Sequence, residues 1–251
     1  MRNPESQTVT PTDGERLFER LSVSQRVQHI VLITSFTLLI VTGMPVLFAG
    51  SRASGAFVRS VGGMTARAWL HRLGAVMLIG VCVYHLFYVL YSKRGRSDFA
   101  ELIPGVRDAK DLVQMLKYYF GLSMEKPRFG RFNYIEKFEY LAMGWGSAVM
   151  IATGFILWFE DQAMLVLPKW ALDIAAIVHS YEALLAFLAI VIWHFYHVHL
   201  NPESFPMSKV WLTGKITERE LRENHPLEYE KTVAGEAREG EERLTEWNGT
   251  G

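Results

Sequence analysis

VHSYEALLAFLAIVIWH, residues 178–194, is apolar along most of its length, yet it has a histidine near each end and one carboxylate, Glu182. His179 and His194 lie 15 residues apart. HRLGAVMLIGVCVYH, residues 71–85, repeats the pattern, with His71 and His85 14 apart. At about 100° per residue, either spacing returns a side chain to nearly the same helix face, about 21–23 Å further along the axis. Imidazole in an apolar, membrane-length segment is costly and marks function. Two helices with a histidine near each end of one face can hold two stacked cofactors between them.

The rest of the chain supplies the membrane. Ile30 to Ala49 is 20 residues without a charge, enough to cross about 30 Å of hydrocarbon. Leu73–Tyr91 and Tyr140–Phe159 are also uncharged, and Ala171–Leu200 carries only Asp173, Glu182 and its histidines. These four spans place both termini on one side. Ten Lys and Arg lie between spans two and three, from Lys93 to Lys137, and Arg16, Arg20 and Arg26 precede span one. The other side offers Arg52, Arg59, Arg67, Arg72 and Lys169. By the positive-inside rule both termini and the long loop are cytoplasmic, as expected of a multi-pass protein of the bacterial inner membrane.

The expected fold is therefore an all-α membrane protein. Residues 1–25 form a cytoplasmic N-terminal segment, 26–200 a four-helix transmembrane unit that includes the cytoplasmic loop 93–137, and 201–251 a cytoplasmic tail. Within the loop, Val106–Phe120 has Ala109, Leu112, Val113, Leu116, Tyr119 and Phe120 at helical spacing. This predicts an amphipathic helix at the membrane surface. Beyond Ile216 the tail is rich in Glu, Arg and Lys, and the expectation is a short surface helix fading into disorder. The polar N-terminus has no apolar stretch of the kind a cleaved signal peptide needs, and the chain shows no internal repeat.

Composition narrows the chemistry. The net charge is zero, so the bulk balance gives no sign of nucleic-acid binding. A single cysteine, Cys82, excludes an internal disulfide, a four-cysteine iron–sulfur site and the C-x-x-C-H attachment of c-type haem. Bis-histidine ligation of a b-type haem, held by axial ligands and packing alone, remains. Sorted by depth, His71 and His179 share the periplasmic layer and pair without competition. His29, His85, His194, His197 and His199 compete in the cytoplasmic layer. A metal ion needs three or four converging ligands; the two layers lie too far apart to share one, although the cytoplasmic cluster could hold one by itself.

The chain also resembles the membrane-bound cytochrome b subunits of respiratory formate dehydrogenases and nickel–iron hydrogenases. The likeness runs from about residue 20 to 231. It is carried by QRVQHIVLITSFTLLIVTGMPVLF, WLHRLGAVML, FNYIEKFEY, TGFILW, VHSYEALLAFLAIVIWH and TGKITERELRENHPLEYEK. The resemblance implies a bundle holding two haem b groups: His71 and His179 on the periplasmic one, and His29 and His194 on the cytoplasmic one, near which the family binds quinone. His85 occupies a position that is a ligand in the cytochrome b of bc-type complexes instead. His85–His194 ligation of the cytoplasmic haem and a third haem on His85 and His197 are therefore the alternatives. His197 and His199, in WHFYHVHLNPESFP, are interfacial hydrogen-bonding groups or part of a proton or quinone path.

Arg72 follows a candidate ligand, and Glu182 lies one turn from another. In hydrocarbon each needs a partner: Arg72 a haem propionate or Glu182, and Glu182 either that arginine or a proton path. Gly43, Gly74, Gly80 and Gly154 leave room for a macrocycle or for close helix packing. Trp69, Trp158 and Trp170 fit an aromatic belt.

The expected function is electron transfer between a redox partner (a dehydrogenase, a hydrogenase or a multihaem cytochrome c) and the membrane quinone pool, menaquinone or ubiquinone, within a hetero-oligomeric complex. With no nucleotide fold or catalytic triad, substrate chemistry belongs to the partner. The competing reading is a haem-free transporter or metal-binding bundle. The lack of an inverted repeat weighs against a typical secondary transporter.

Overall fold

The computed structural model describes residues 16–201, 205 and 207–249. The chain is mostly helical, and among the described residues four helices are long and apolar enough to cross a membrane. They are α1 (Val23–Leu47), α3 (Gly63–Tyr91), α6 (Tyr134–Trp158) and α8 (Lys169–Leu188), the last running on in wider π-helical turns at Ala189–His194 and Tyr196–Leu200. α2 (Arg52–Ser60) joins the first two spans. α4 (Lys93–Leu102) and α5 (Val106–Tyr119) fill the long loop, and α7 (Glu160–Ala163) follows the third span. After the fourth come α9 (Val210–Thr213), α10 (Glu218–Asn224) and α11 (Pro226–Gly249).

Each span begins earlier than its uncharged stretch, because charged residues at the ends continue the helix. Capping sets two of those starts. Ser22 and Gln25 cap α1 reciprocally, as do Asn133 and Glu136 for α6, satisfying backbone N–H groups that have no partner within the helix.

The bundle is assembled from two helix pairs. α1 packs closely along α3, and α6 along α8; contact between the pairs, α1 with α8 and α3 with α6, is much sparser. Leu73, Val76, Phe87, Trp145, Ile177 and Leu185 are exposed, a surface suited to lipid. The fully buried side chains of the described residues are small and polar, Thr42 and Ser35.

The end of the bundle where α1 begins and the fourth span finishes is closed by a layer that the sequence did not anticipate. β1 (Leu17–Glu19) pairs antiparallel with β2 (Lys215–Thr217), Phe18 opposite Ile216. The Gly214 carbonyl accepts from the amides of Arg20 and Leu21 at 2.8 and 3.0 Å. Arg20, 6% exposed, pairs with Glu228 and donates to the Arg131 carbonyl. Arg131 pairs with Asp98 at 2.8 Å and Glu228 at 2.7 Å, and Gln25 donates to Asp98 at 2.8 Å. His225 Nδ1 donates to the Gly130 carbonyl at 2.8 Å, and its Nε2 lies 3.2 Å from Arg20 Nη2. The tail therefore does not fade after a short helix. α11 runs from Pro226 to Gly249, and Glu228 near its start is fixed by two arginines from other segments. Composition alone makes such a segment look unstructured, because its stabilising partners are remote in sequence.

Candidate functional site

Two pairs of imidazoles face each other within the bundle. His71 on α3 and His179 on α8 have ring centroids 6.4 Å apart with planes at 68°. His29 on α1 and His194 have centroids 6.5 Å apart with planes at 66°. Two imidazoles that bind one metal from opposite sides, each through a nitrogen about 2.0 Å from the ion and about 1.2 Å from its ring centre, have centroids about 6.4 Å apart. Both pairs match that separation.

Hydrogen bonds set the tautomers of the His71–His179 pair. Thr42 Oγ1 donates to the Leu38 carbonyl at 2.6 Å and lies 2.9 Å from His71 Nδ1. Thr153 Oγ1 donates to the Val149 carbonyl at 2.7 Å and lies 2.9 Å from His179 Nδ1. A hydroxyl with its proton directed at a carbonyl can only accept from the imidazole, so Nδ1 carries the hydrogen and Nε2 is the nitrogen left to coordinate. The glycine after each threonine completes the seat. A Cβ at Gly43 would stand 3.3 Å from His71 Cε1, and one at Gly154 would stand 3.2 Å from His179 Cε1. These two glycines make room for the imidazoles themselves. Gly74 instead admits Leu38 and Leu39, and Gly80 has no neighbour within 4 Å.

The His29–His194 pair is held differently. His194 Nδ1 lies 3.2 Å from Glu139 Oε2, while His29 Nδ1 is buried without a hydrogen-bond partner. Trp211 stands edge-on to His29 at 6.0 Å. The π-helical turns explain how His194 reaches its place. Each such turn takes up an extra residue, so 15 residues cover nearly the rotation that 14 would in an α-helix.

The other candidates lie elsewhere. His85 uses both ring nitrogens, Nδ1 at 2.8 Å from Gln28 Oε1 and Nε2 at 2.8 Å from the Tyr140 hydroxyl. His197 donates Nδ1 to the Trp193 carbonyl at 2.8 Å, and its ring neighbours are Trp193 and Tyr196. Thus His85 is brought to neither His194 nor His197. His199 packs edge-on to Phe195. Among the described residues, no three His, Cys, Asp or Glu side chains converge as a metal centre requires.

Arg72 does not pair with Glu182. Its guanidinium lies over the rings of Trp69 and Trp158 at 5.4 and 5.3 Å, where the ring faces attract the cation, so two expected belt tryptophans have a local task. Glu182 faces Gly146. Arg67, which sequence reading left among the loop charges, donates to the Thr42 carbonyl at 3.0 Å, and its Nε is buried without a partner. Sequence reading also missed the roles of Thr153 and Glu139. The recurrence of Thr-Gly at 42–43 and 153–154 was the available signal for the first. Glu139 had only its place in FNYIEKFEY.

A helical membrane bundle with two close pairs of histidines, three of the four held by a hydrogen bond at Nδ1, is the architecture of a membrane b-type cytochrome, an electron-transfer protein. Residues 20–204 match the family described as prokaryotic cytochrome b561, and the chain belongs to it. No curated protein matches the chain. Membership makes this a multi-pass bacterial membrane protein and implies haem b. The residues present fit that group: two imidazole pairs spaced to hold one iron each, glycine-cleared seats for His71 and His179, and Arg67 with a buried, unpartnered Nε.

Proposed function

We infer that the chain is the membrane electron-carrying subunit of a respiratory complex, with one haem b held by His71 and His179 and a second by His29 and His194. The spacing of the two imidazole pairs carries this reading. The ring centroids of the two pairs stand 6.5 and 6.4 Å apart, the separation at which two imidazoles would hold one iron between them. When bound, haem supplies reversible one-electron Fe(III)/Fe(II) chemistry. The protein's part is to fix the tautomers of His71, His179 and His194 through Thr42, Thr153 and Glu139, and to keep the four imidazoles that would hold the groups within the bundle. Arg67 and Arg72 stand near the His71–His179 seat and suit propionate binding.

The excess of Lys and Arg in the long loop supports placing both termini and the His29–His194 end in the cytoplasm. Quinone, menaquinone or ubiquinone, exchanges electrons at that end, and a dehydrogenase, hydrogenase or multihaem cytochrome c meets the other. α5 supports a membrane-surface role: Val113, Leu116 and Tyr119 are exposed beside Lys110 and Lys117. His85, saturated by Gln28 and Tyr140, is a structural polar group on this reading, which leaves two haems rather than three.

Haem per polypeptide in the detergent-purified protein, measured as the pyridine haemochrome, tests the proposal. A ratio near two with b-type bands is expected. A ratio near three would return His85 and His197 to the ligand set, and no haem would remove the electron-carrier reading.

A further inference from the structure

The two histidine pairs are supported by groups of different charge. His71 and His179 each give their Nδ1 hydrogen to a neutral threonine hydroxyl, and Arg67 is bonded at 3.0 Å to the backbone carbonyl of Thr42, the same residue that holds His71. His194 gives its Nδ1 hydrogen to the carboxylate of Glu139, whose other oxygen is buried and unpartnered. The nearby cation at that end, Arg26, is one turn before His29 and is directed to the Leu212 carbonyl at 2.6 Å and against Gly214. His85 close by is neutral in its hydrogen bonding, between Gln28 and Tyr140.

We propose that Glu139 is a positioning residue that makes the haem at His29–His194 the more reducing of the two. A carboxylate acceptor draws the Nδ1 hydrogen strongly in a low-dielectric interior and makes Nε2 a better electron donor to iron. More electron donation, together with a nearby negative charge, favours the oxidised ion and lowers the reduction potential. At the other pair, neutral acceptors and the Arg67 cation act in the opposite direction. The potential therefore rises from the His29–His194 end to the His71–His179 end, a slope that favours electrons leaving quinol at the first and reaching a partner at the second. The inference rests on the two-haem reading above.

The test is an anaerobic potentiometric titration of the α-bands, on membranes containing the full chain, for the wild type, Glu139→Gln and Glu139→Asp. Glu139→Gln keeps an acceptor and removes the charge. Its low-potential component should move upward by at least a tenfold change in reduced-to-oxidised ratio at fixed ambient potential, about 59 mV for a one-electron couple. The other component should stay in place, and Glu139→Asp should lie near the wild type. In His71→Ala, which loses the far ligand pair, the surviving component should be the low-potential one.

Potentials indifferent to Glu139→Gln, or survival of the high-potential component in His71→Ala, would overturn the proposal. Loss of haem in Glu139→Gln without any change in the remaining potential would reduce Glu139 to a packing role and would also overturn it. Fewer than two haems in the wild type would remove the underlying two-haem reading instead, so the two failures are distinct.

Discussion

The hydroxyl of Thr153 stands 2.9 Å from Nδ1 of His179, the same separation as between Thr42 and His71. Each threonine lies on the helix packed beside the histidine's own, and each is followed by the glycine that the imidazole ring overlies. The bundle thus contains two equivalent half-sites, one in each tightly packed helix pair, that meet across the sparser contact between the pairs.

Replacing either threonine by valine keeps the shape and removes the acceptor. A buried imidazole N–H without a partner costs about 1–3 kcal/mol, and loss of such a support typically weakens metal affinity by about 10–100-fold. Thr42→Val and Thr153→Val should each lower occupancy of the His71–His179 haem and leave the other intact, as read by haem content and by low-spin electron paramagnetic resonance.

Gly154→Ala should act through geometry alone. The added methyl would lie 3.2 Å from His179 Cε1, so the ring must yield by a few tenths of an ångström. The resonance signal of that haem should shift while the haem count stays near two. Gly154→Val should abolish binding at that seat. Identical spectra for the wild type and Gly154→Val would contradict the seat described.

His85→Gln keeps a side chain able to bond Gln28 or Tyr140. It should bind as much haem as the wild type, with both sets of α-bands unchanged. A drop of one haem per chain in His85→Gln would make His85 a ligand.

Arg20 anchors the layer that closes the His29–His194 end of the bundle. Arg20→Ala leaves Glu228 with Arg131 as its remaining partner and opens a buried charge cluster. Losing one member of such a cluster costs about 3 kcal/mol. The expected signature is rapid proteolysis after Lys231 or Arg238 and a lower unfolding temperature, with haem still bound.

The same layer should weaken in acid. Burial first, and then the charge of Arg20, hold the His225 pKa below its ordinary 6.5, against the opposing pull of Glu136, the Gly130 carbonyl and Glu228. Above pH 6.5 the imidazole is neutral in both the folded and unfolded layer. As the pH falls below 6.5, the unfolded form takes up a proton that the folded form resists, so stability declines until the lowered folded pKa is passed. Proteolytic sensitivity of the tail should therefore rise between neutral pH and pH 5, and His225→Gln should flatten that dependence.

The sequence by itself determined the spans, their C-terminal ends within two residues, the excess of basic residues on one side and the set of histidines from which any ligands must come. Those features are local: an apolar run of membrane length and a helical period depend only on neighbouring residues. Tertiary structure decided which imidazoles meet, because five histidines at one depth differ only in which helix face they occupy. Wider turns after Leu188 bring His194 around to His29, and Gln28 and Tyr140 take both nitrogens of His85. It also decided that Arg72 lies between tryptophans instead of against Glu182. The ordered tail, too, depends on a strand pair and on the Arg20–Glu228 ion pair, whose members lie about two hundred residues apart, too far for any local pattern to register.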